Sequence, residues 1–263
     1  MFRPIISFVA LCGAVLAVAI GPALAAGCLF EPQGEGRVGE IVDGRSFRLT
    51  DGREVRLAGI ETANDAATSP KRTAALAAII VGRDVTLRGQ DDTPDRYGRQ
   101  TALVFLDGSE TPVQSLLLLR GEALVSTEIT DRDCAAVLGQ AEAEARQAKR
   151  GVWADPTVIK NAESSDDILA GIGQFTVVEG MVLSVRQAGA TTYLNFGRNW
   201  TRGFAVTISK RMMAVFASAG ITLKSLENRR VRVRGWVEAH PGPRIDVLRV
   251  AQIEMLGGSE ANR

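Results

Sequence analysis

Histidine is nearly missing from this chain of 263 residues, which contains only His240. Imidazole is the commonest protein ligand of transition metals and a frequent general base in enzymes. A single histidine excludes a metal site built from several imidazoles. Because His240 lies in the turn-forming segment His240-Pro241-Gly242-Pro243, we do not expect it to act as a catalytic base.

Long apolar runs are also scarce, and the one at residues 5–20 follows Arg3, the only charge before it. Gly21-Pro22 breaks the run before the small residues at 23–26, which is the layout of a secretory signal peptide. The run is short for a membrane anchor, which needs about 20 apolar residues. We therefore expect residues 1–26 to be removed and a periplasmic or secreted chain without a transmembrane domain to remain.

Cysteine is rare as well, and removal of the signal peptide with Cys12 leaves Cys28 and Cys134. Two cysteines in an oxidising compartment predict one disulfide, whose closed loop of about 100 residues would stabilise the fold by roughly 4 to 5 kcal/mol. Two unrelated buried thiols are the alternative. Ala25-Ala26-Gly27-Cys28 also resembles a lipobox, and a lipid anchor on Cys28 would exclude the disulfide.

The charge is divided unevenly along the chain, although the formal net charge is only +1. Residues 27–173 carry 17 Lys and Arg against 24 Asp and Glu, a net of −7, whereas residues 174–263 carry 13 against 6, a net of +7. The second half is therefore the better candidate for contact with a polyanion. We predict domains at residues 27–153 and 175–257, a linker at 154–174 and a tail at 258–263.

The first half predicts a barrel. Apolar residues alternate at 37–43, 46–50 and 54–59, and Asp-Gly pairs separate these strands. A helix is predicted from Ser69-Pro70 to Gly82, strands at 84–89 and 100–106, and helices at 112–120 and 134–150. Three strands, a helix and two strands are the order of an OB-fold, so the predicted class is mainly β with α.

Four motifs in this half resemble the staphylococcal nuclease (thermonuclease) family. They are Val42-Asp43-Gly44 before a strand, Arg56-Leu57 leading to Glu61-Thr62, Asp95-Arg96-Tyr97-Gly98-Arg99, and a last helix that ends in Gly151-Val152-Trp153. Their order and spacing are preserved over residues 37–153. The resemblance implies an OB-fold barrel of the staphylococcal nuclease type.

The resemblance also implies a site. In that family two aspartates and a backbone carbonyl hold calcium, a glutamate activates the attacking water, and two arginines clamp the phosphate. It places the arginines at Arg56 and Arg99 and a tyrosine near the phosphate at Tyr97. It places the second calcium carboxylate at Glu61, one methylene longer than aspartate, and the carbonyl ligand at Thr62.

Two positions depart from the family pattern, Arg45 at the first calcium aspartate and Asn64 at the glutamate base. An amide accepts no proton, so base catalysis, worth about 100-fold to 10,000-fold, is lost. At this position a guanidinium would face the metal instead of the usual carboxylate. Two unit charges about 4 Å apart interact by roughly 4 kcal/mol at an effective dielectric constant near 20. We expect calcium to bind poorly unless Arg45 points away; Asp65 is an alternative base if the loop shifts by one residue.

The second half predicts the same element order. Strands are expected at 175–186, 191–196, 204–208, 229–238 and 244–256, with a helix capped by Ser209 and ended by Gly220. This order predicts a second OB-like β-barrel.

Alternation in the strand at 229–238 puts Arg230, Arg232, Arg234 and Trp236 on one face. Cations beside an aromatic ring are typical of surfaces that bind single-stranded nucleic acid, and Tyr193, Phe196, Trp200 and Arg202 are candidates to extend it. An ordinary solvated strand face is the alternative.

The sequence therefore predicts an exported, monomeric, thermonuclease-like protein that binds single-stranded nucleic acid or another polyanion. Hydrolysis is expected to be weak or lost, and whether the chain is an enzyme stays open. One alternative is an active phosphodiesterase with a rearranged site that uses calcium; otherwise no cofactor is expected. Another is a cell-envelope scaffold that binds protein, in which Arg56 and Arg99 are structural and pair with Glu61, Asp43 or Asp95.

Overall fold

The structure is a computed structural model that describes residues 27–63, 69–199 and 201–257. The predicted signal peptide with Cys12, the positions Asn64 and Asp65, Trp200 and the tail at 258–263 lie outside the described residues. Within the described ranges, no helix is both long and apolar enough to span a membrane.

The first half folds as a closed five-stranded barrel with helices packed on it. Its elements are β1 (Pro32–Asp43), β2 (Ser46–Leu49), β3 (Glu54–Leu57), β4 (Ile60–Glu61), α1 (Ser69–Ile80), β5 (Asp84–Arg88), β6 (Gln100–Leu106), α2 (Val113–Leu119), β7 (Leu124–Val125) and α3 (Arg132–Gln147). The barrel closes in the order β1-β2-β3-β6-β5, in which β3 and β6 are parallel. The predicted OB-fold arrangement of the first half is confirmed.

Apolar side chains on alternate strand positions fill this barrel. Phe47, Val55 and Leu57 are fully buried, and α1 covers them with Leu76 and Ile80. Each such side chain stabilises the fold by about 1.5–3 kcal/mol relative to an exposed one. The β2–β3 hairpin, which carries the candidate site residues, is therefore anchored in a packed core.

Local signals in the sequence set the helix ends. The Asp131 carboxylate accepts a hydrogen bond from the Cys134 backbone N–H at 2.8 Å and caps α3. Gly121 and Gly151 follow α2 and α3 with φ of 69° and 55°, and a Cβ on Gly151 would lie 2.2 Å from the Gly121 carbonyl oxygen. Only glycine allows the ends of these two helices to approach so closely.

The predicted disulfide is present between Cys28 and Cys134, which are 106 residues apart. It joins the segment before β1 to the first turn of α3. The two cysteines are buried together with Leu103 and Phe105, and Phe30 packs against them.

The second half is built on one mixed sheet with two helices. Its elements are β8 (Ile159–Asn161), α4 (Ser165–Leu169), β9 (Phe175–Met181), β10 (Ser184–Ala188), β11 (Thr191–Asn195), β12 (Ala205–Ser209), α5 (Lys210–Ser218), β13 (Arg230–His240), β14 (Gly242–Val247) and β15 (Ile253–Met255). The strand order is β10-β11-β12-β14-β13-β9-β8, with β15 paired to β13. The Ser209 hydroxyl caps α5 as predicted.

The predicted second barrel is not confirmed. The path of the sheet runs open from β10 to β8, and within the described residues these two end strands do not pair. Residues 154–174, which the sequence assigns to a linker, supply β8, which pairs in parallel with β9, and the short helix α4. The domain boundaries stay a prediction.

The two halves are in contact through side chains of both. Leu124, Ala145 and Trp153 from the first half are buried with Phe175 and Val177 from β9. On β13, Arg234 reaches back to Glu142 on α3.

Candidate functional site

The β2–β3 hairpin and the loop after it position the charged residues of the candidate site. In the turn before β2, the Asp43 carboxylate accepts a hydrogen bond from the Arg45 backbone N–H at 2.8 Å. Asp43 therefore stabilises its own turn, as short acidic side chains often do. Antiparallel pairing then puts Ser46 of β2 opposite Arg56 of β3, so Arg45 and Arg56 enter the same region.

Glu61 is the centre of this region. It lies on β4, which pairs with β7, and only 2% of its surface is exposed. One carboxylate oxygen, Oε1, accepts a hydrogen bond from Nη2 of Arg56 at 3.0 Å, and the other, Oε2, forms an ion pair with Nη1 of Arg45. Arg45 Nη1 also donates to the Ile60 carbonyl at 3.4 Å. Both carboxylate oxygens of Glu61 are therefore held by guanidinium groups.

Burial raises the pKa of Glu61, and the guanidinium groups of Arg45 and Arg56 act against that rise. The exposed Glu128 lies close enough to add to the rise. A buried carboxylate stays ionised only with such cations beside it. The three side chains of Arg45, Arg56 and Glu61, which we call the Glu61 triad, have a formal net charge of +1.

Arg99 is held by a different carboxylate. Its Nε and Nη2 donate to Oδ2 of Asp95 at 3.0 and 2.8 Å. The other oxygen, Oδ1, accepts from the backbone N–H groups of Tyr97 and Arg99. Burial alone would raise the pKa of Asp95, but these hydrogen bonds outweigh it and lower the pKa to about 2. The Asp95 carboxylate, with Asp43 and Glu54 further off, raises the pKa of Arg99.

Tyr97 stands at the surface beside this pair, with 67% of its area exposed. The guanidinium groups of Arg96 and Arg99 lie 4.7 and 5.1 Å from the centre of its ring. Parallel pairing of β3 with β6 sets Arg56 opposite Thr101, two residues after Arg99. The structure therefore places Arg56 and Arg99 on neighbouring strand ends, each with its own carboxylate partner.

The residues at the implied calcium position do not fit calcium. Calcium takes six to eight oxygen ligands at about 2.3–2.6 Å. Here both oxygens of Glu61 face arginines, and the described ranges hold no cluster of three or more acidic, histidine or cysteine side chains that would bind a metal. An ion beside Glu61 and the Thr62 carbonyl would have to displace the Arg45 guanidinium.

A scan against protein-family models matches residues 54–155 to the staphylococcal nuclease homologues. This part of the chain is similar to the staphylococcal nuclease homologues. The match begins at β3, and β1 and β2 belong to the same closed barrel; we call this barrel with its helices the nuclease-homologue domain. No curated protein sequence matches the chain.

The arginine row on β13 is only partly exposed. Arg232 is buried and pairs with Glu179 at 2.7 Å and Glu254 at 2.8 Å. Arg234 is buried and pairs with Glu142 at 2.9 Å. Arg230 and Trp236 are exposed at the two ends of the row. Binding of nucleic acid by this row stays a prediction, and its two middle arginines already have carboxylate partners.

Sequence reasoning missed two residues of the site. It treated Arg45 as an obstacle to calcium, whereas the structure makes it a partner of Glu61. It also missed Glu128, which comes near Glu61 although they are 67 residues apart in sequence. The excess of arginine over acid around the Asp43-Gly44 turn was the available signal for the first; local sequence offers none for the second.

Proposed function

We propose that the nuclease-homologue domain binds phosphodiester in nucleic acid without needing a metal and with weak or no hydrolysis. The observation that carries this proposal is the Glu61 triad. Its second guanidinium supplies a fixed positive charge beside the carboxylate, in the region where the family resemblance implies a calcium ion.

Binding would use the donors of these arginines. A guanidinium has five N–H donors, and Arg56 and Arg99 each give only one or two of them to a carboxylate. The remaining donors suit the oxygens of a phosphodiester, and the exposed Tyr97 ring offers a stacking surface for a base. Because Glu61 and Asp95 compete with the phosphate for the same cations, we expect modest affinity that falls with salt.

Cleavage would lack its usual chemistry. The implied base position holds Asn64, whose amide accepts no proton, and both oxygens of Glu61 already accept from arginine. An amide takes no proton from water, and the carboxylate of Glu61 is already engaged by two guanidinium groups. Relative to the family pattern, the chain retains the fold and the two arginines Arg56 and Arg99, and it has Asn64 in place of the glutamate that would activate water.

The test combines cleavage and binding on one preparation. Labelled single-stranded DNA and RNA are incubated with the protein in calcium or in chelator, and binding is followed by fluorescence anisotropy at several salt concentrations. We expect no cleavage in either buffer and a salt-dependent affinity that falls about tenfold or more in Arg56→Gln and in Arg99→Gln.

Arg37→Gln is the matched control, because Arg37 is an exposed barrel arginine that pairs with Asp84. It should leave the affinity nearly unchanged. Calcium-dependent cleavage that Arg56→Gln abolishes would instead support the active phosphodiesterase. Absence of any salt-dependent binding would leave the scaffold as the remaining interpretation.

We also propose that the protein is exported. The Cys28–Cys134 disulfide supports this, because such bonds persist in oxidising compartments. A lipid on Cys28 would occupy the sulfur that the disulfide uses, so export without a lipid anchor agrees better with the structure. Mass spectrometry of the protein from its cell should find a chain that begins near Gly27 with no free thiol.

A further inference from the structure

The outer face of the second sheet carries a cavity that the proposed function does not use. Its volume is about 450 Å³, and it lies against β10, β11, β14 and the loops beside them. We call it the Tyr193 pocket after the aromatic ring in its wall; the other residues that matter here are Arg186, Asn195, Thr201, His240 and Arg244.

Strand register brings these residues together. Arg186 of β10 lies opposite Tyr193 of β11, and Ala205 of β12 lies between Asn195 and Arg244 of the neighbouring strands. Side chains alternate along a strand, so the residues between them point to the other face. Those intervening residues, such as Leu194, Val206 and Ile245, are buried in the core.

Two loops close the sides of the pocket. The Asn199 carboxamide accepts hydrogen bonds from the backbone N–H groups of Thr201 and Arg202 and so shapes one loop. The β13–β14 turn packs on this loop at Gly242, where a Cβ would lie 2.8 Å from the carbonyl oxygens of Arg202 and Gly203. A side chain in place of Gly242 would therefore clash with this backbone.

The arginines in the pocket have unused donors. Arg244 donates from Nη2 to the His240 carbonyl at 3.2 Å, and its guanidinium lies 5.5 Å from the centre of the Tyr193 ring. Its Nε is buried and has no hydrogen-bond partner among residues 27–63, 69–199 and 201–257. Buried donors are nearly always satisfied in native proteins, so an unpaired one beside a cavity points to a missing acceptor.

The neighbouring carboxylates do not supply this acceptor. Glu238 lies 3.3 Å from His240, Asp246 accepts from the Thr207 hydroxyl, and Glu227 pairs with Lys224. Glu227 is near enough to feel the charge of Arg186, yet over the described part of the chain neither Arg186 nor Arg244 has a carboxylate oxygen within 4 Å. Glu238 lies opposite Arg244 in the β13–β14 pairing, but its carboxylate contacts His240, so the two cations face the pocket without an ion-pair partner among the described residues.

From this geometry we infer that the Tyr193 pocket binds a small organic phosphate. Its phosphate lies between Arg186 and Arg244, because two guanidinium groups suit a dianionic, oxygen-rich head group. Its ring or apolar part lies against Tyr193, Pro241 and Pro243, with Asn195 and Thr201 as neutral polar contacts. The cavity is within the range of about 300–1,000 Å³ that ligand pockets occupy.

Calorimetric titrations of the full chain test this inference with four probes: adenosine 5′-monophosphate, phenyl phosphate, adenosine and inorganic phosphate. We expect one or both organic phosphates to bind at least tenfold more tightly than inorganic phosphate or adenosine, since only the organic phosphates combine a phosphate group with a ring. Arg244→Gln and Arg186→Gln should each weaken binding about tenfold, and Tyr193→Leu should weaken it as well.

Arg211→Gln is the control, because Arg211 is an exposed arginine on α5 outside the pocket. Circular dichroism confirms that each variant is folded. Failure of both organic phosphates to bind, equal affinity for inorganic phosphate, or an equal loss in Arg211→Gln would each overturn the inference. Arg56→Gln should not change this binding, which separates this site from the one in the nuclease-homologue domain.

Discussion

At the scale of single residues, the ratio of cations to anions decides what the barrel can bind. Glu61 carries one negative charge, and the guanidinium groups of Arg45 and Arg56 together exceed it. Removing one partner from a buried ion pair typically costs about 3–5 kcal/mol, because the other charge stays buried and unpaired. The triad is therefore held together strongly, and Arg45 does not leave it easily to admit an ion.

The pKa of Asp95 reports on its ion pair with Arg99. Its pKa of about 2 lies below the ordinary 3.8, so the interaction stabilises the fold fully above the ordinary value and is lost as the pH falls toward 2. Arg99→Gln removes the guanidinium, and we expect the titration midpoint of Asp95 to rise toward 3.8 in carbon-detected NMR.

Asp51 is the internal control for that titration, because Arg53 lowers its pKa and Arg99 does not contribute. Its midpoint should stay the same in the Arg99→Gln protein. An unchanged Asp95 midpoint in that variant would show that Arg99 does not hold Asp95 in solution.

Much of the residue-level site could be predicted, because Arg56, Glu61 and Arg99 follow recognisable turns and strand ends. The partner of each arginine could not be chosen from sequence, where Glu61, Asp43 and Asp95 were all available. Only the folded register shows that β4 carries Glu61 between Arg45 and Arg56, and that Arg99 turns to Asp95 four residues before it.

At the scale of elements, the strands and helices that were predicted well are those whose ends are marked by local sequence signals. Asp-Gly turns and helix caps placed the barrel strands and α1 to α3 nearly correctly. β1 begins at Pro32, five residues before the prediction, because Pro32–Arg37 pairs with β5 through its backbone and shows no apolar alternation. On β13 the alternation was predicted correctly. However, α3 from the first half supplies Glu142 to the arginine face of β13, so this face is not simply exposed to solvent.

The disulfide links the segment before β1 to the first turn of α3. Because the cysteines are 106 positions apart in sequence, loss of the disulfide should lower the free energy of unfolding of the first half by about 2–5 kcal/mol, mainly through unfolded-chain entropy. The double change Cys28→Ala with Cys134→Ala, compared with the parent in urea unfolding, measures this. Reduction of the parent by dithiothreitol should give a similar loss, and a stability equal to the parent in both cases would contradict it.

At the scale of the whole molecule, Arg234 and Glu142 are the buried charged contact between the halves, and their oxygen–nitrogen distance is 2.9 Å. Both side chains are at least nine-tenths buried, and Glu142 also accepts from the Val125 N–H at 2.7 Å. Glu142 also lies 3.6 Å from Arg146, so we expect Glu142→Gln to destabilise the protein by about 3–5 kcal/mol and Arg234→Met to destabilise it by less.

The double change should be much less damaging than the sum of the two. The amide introduced by Glu142→Gln would keep an acceptor for the Val125 N–H, and Arg234→Met would remove the guanidinium that otherwise stays buried beside that amide. A coupling of about 0.5–3 kcal/mol is therefore expected from the double-mutant cycle in urea. The exposed pair Arg37–Asp84 serves as control, with a coupling below about 1 kcal/mol. Additive losses at Arg234 and Glu142 would mean that this ion pair does not join the two halves in solution, and would leave their contact to the apolar cluster around Trp153 and the Arg234–Val125 hydrogen bond.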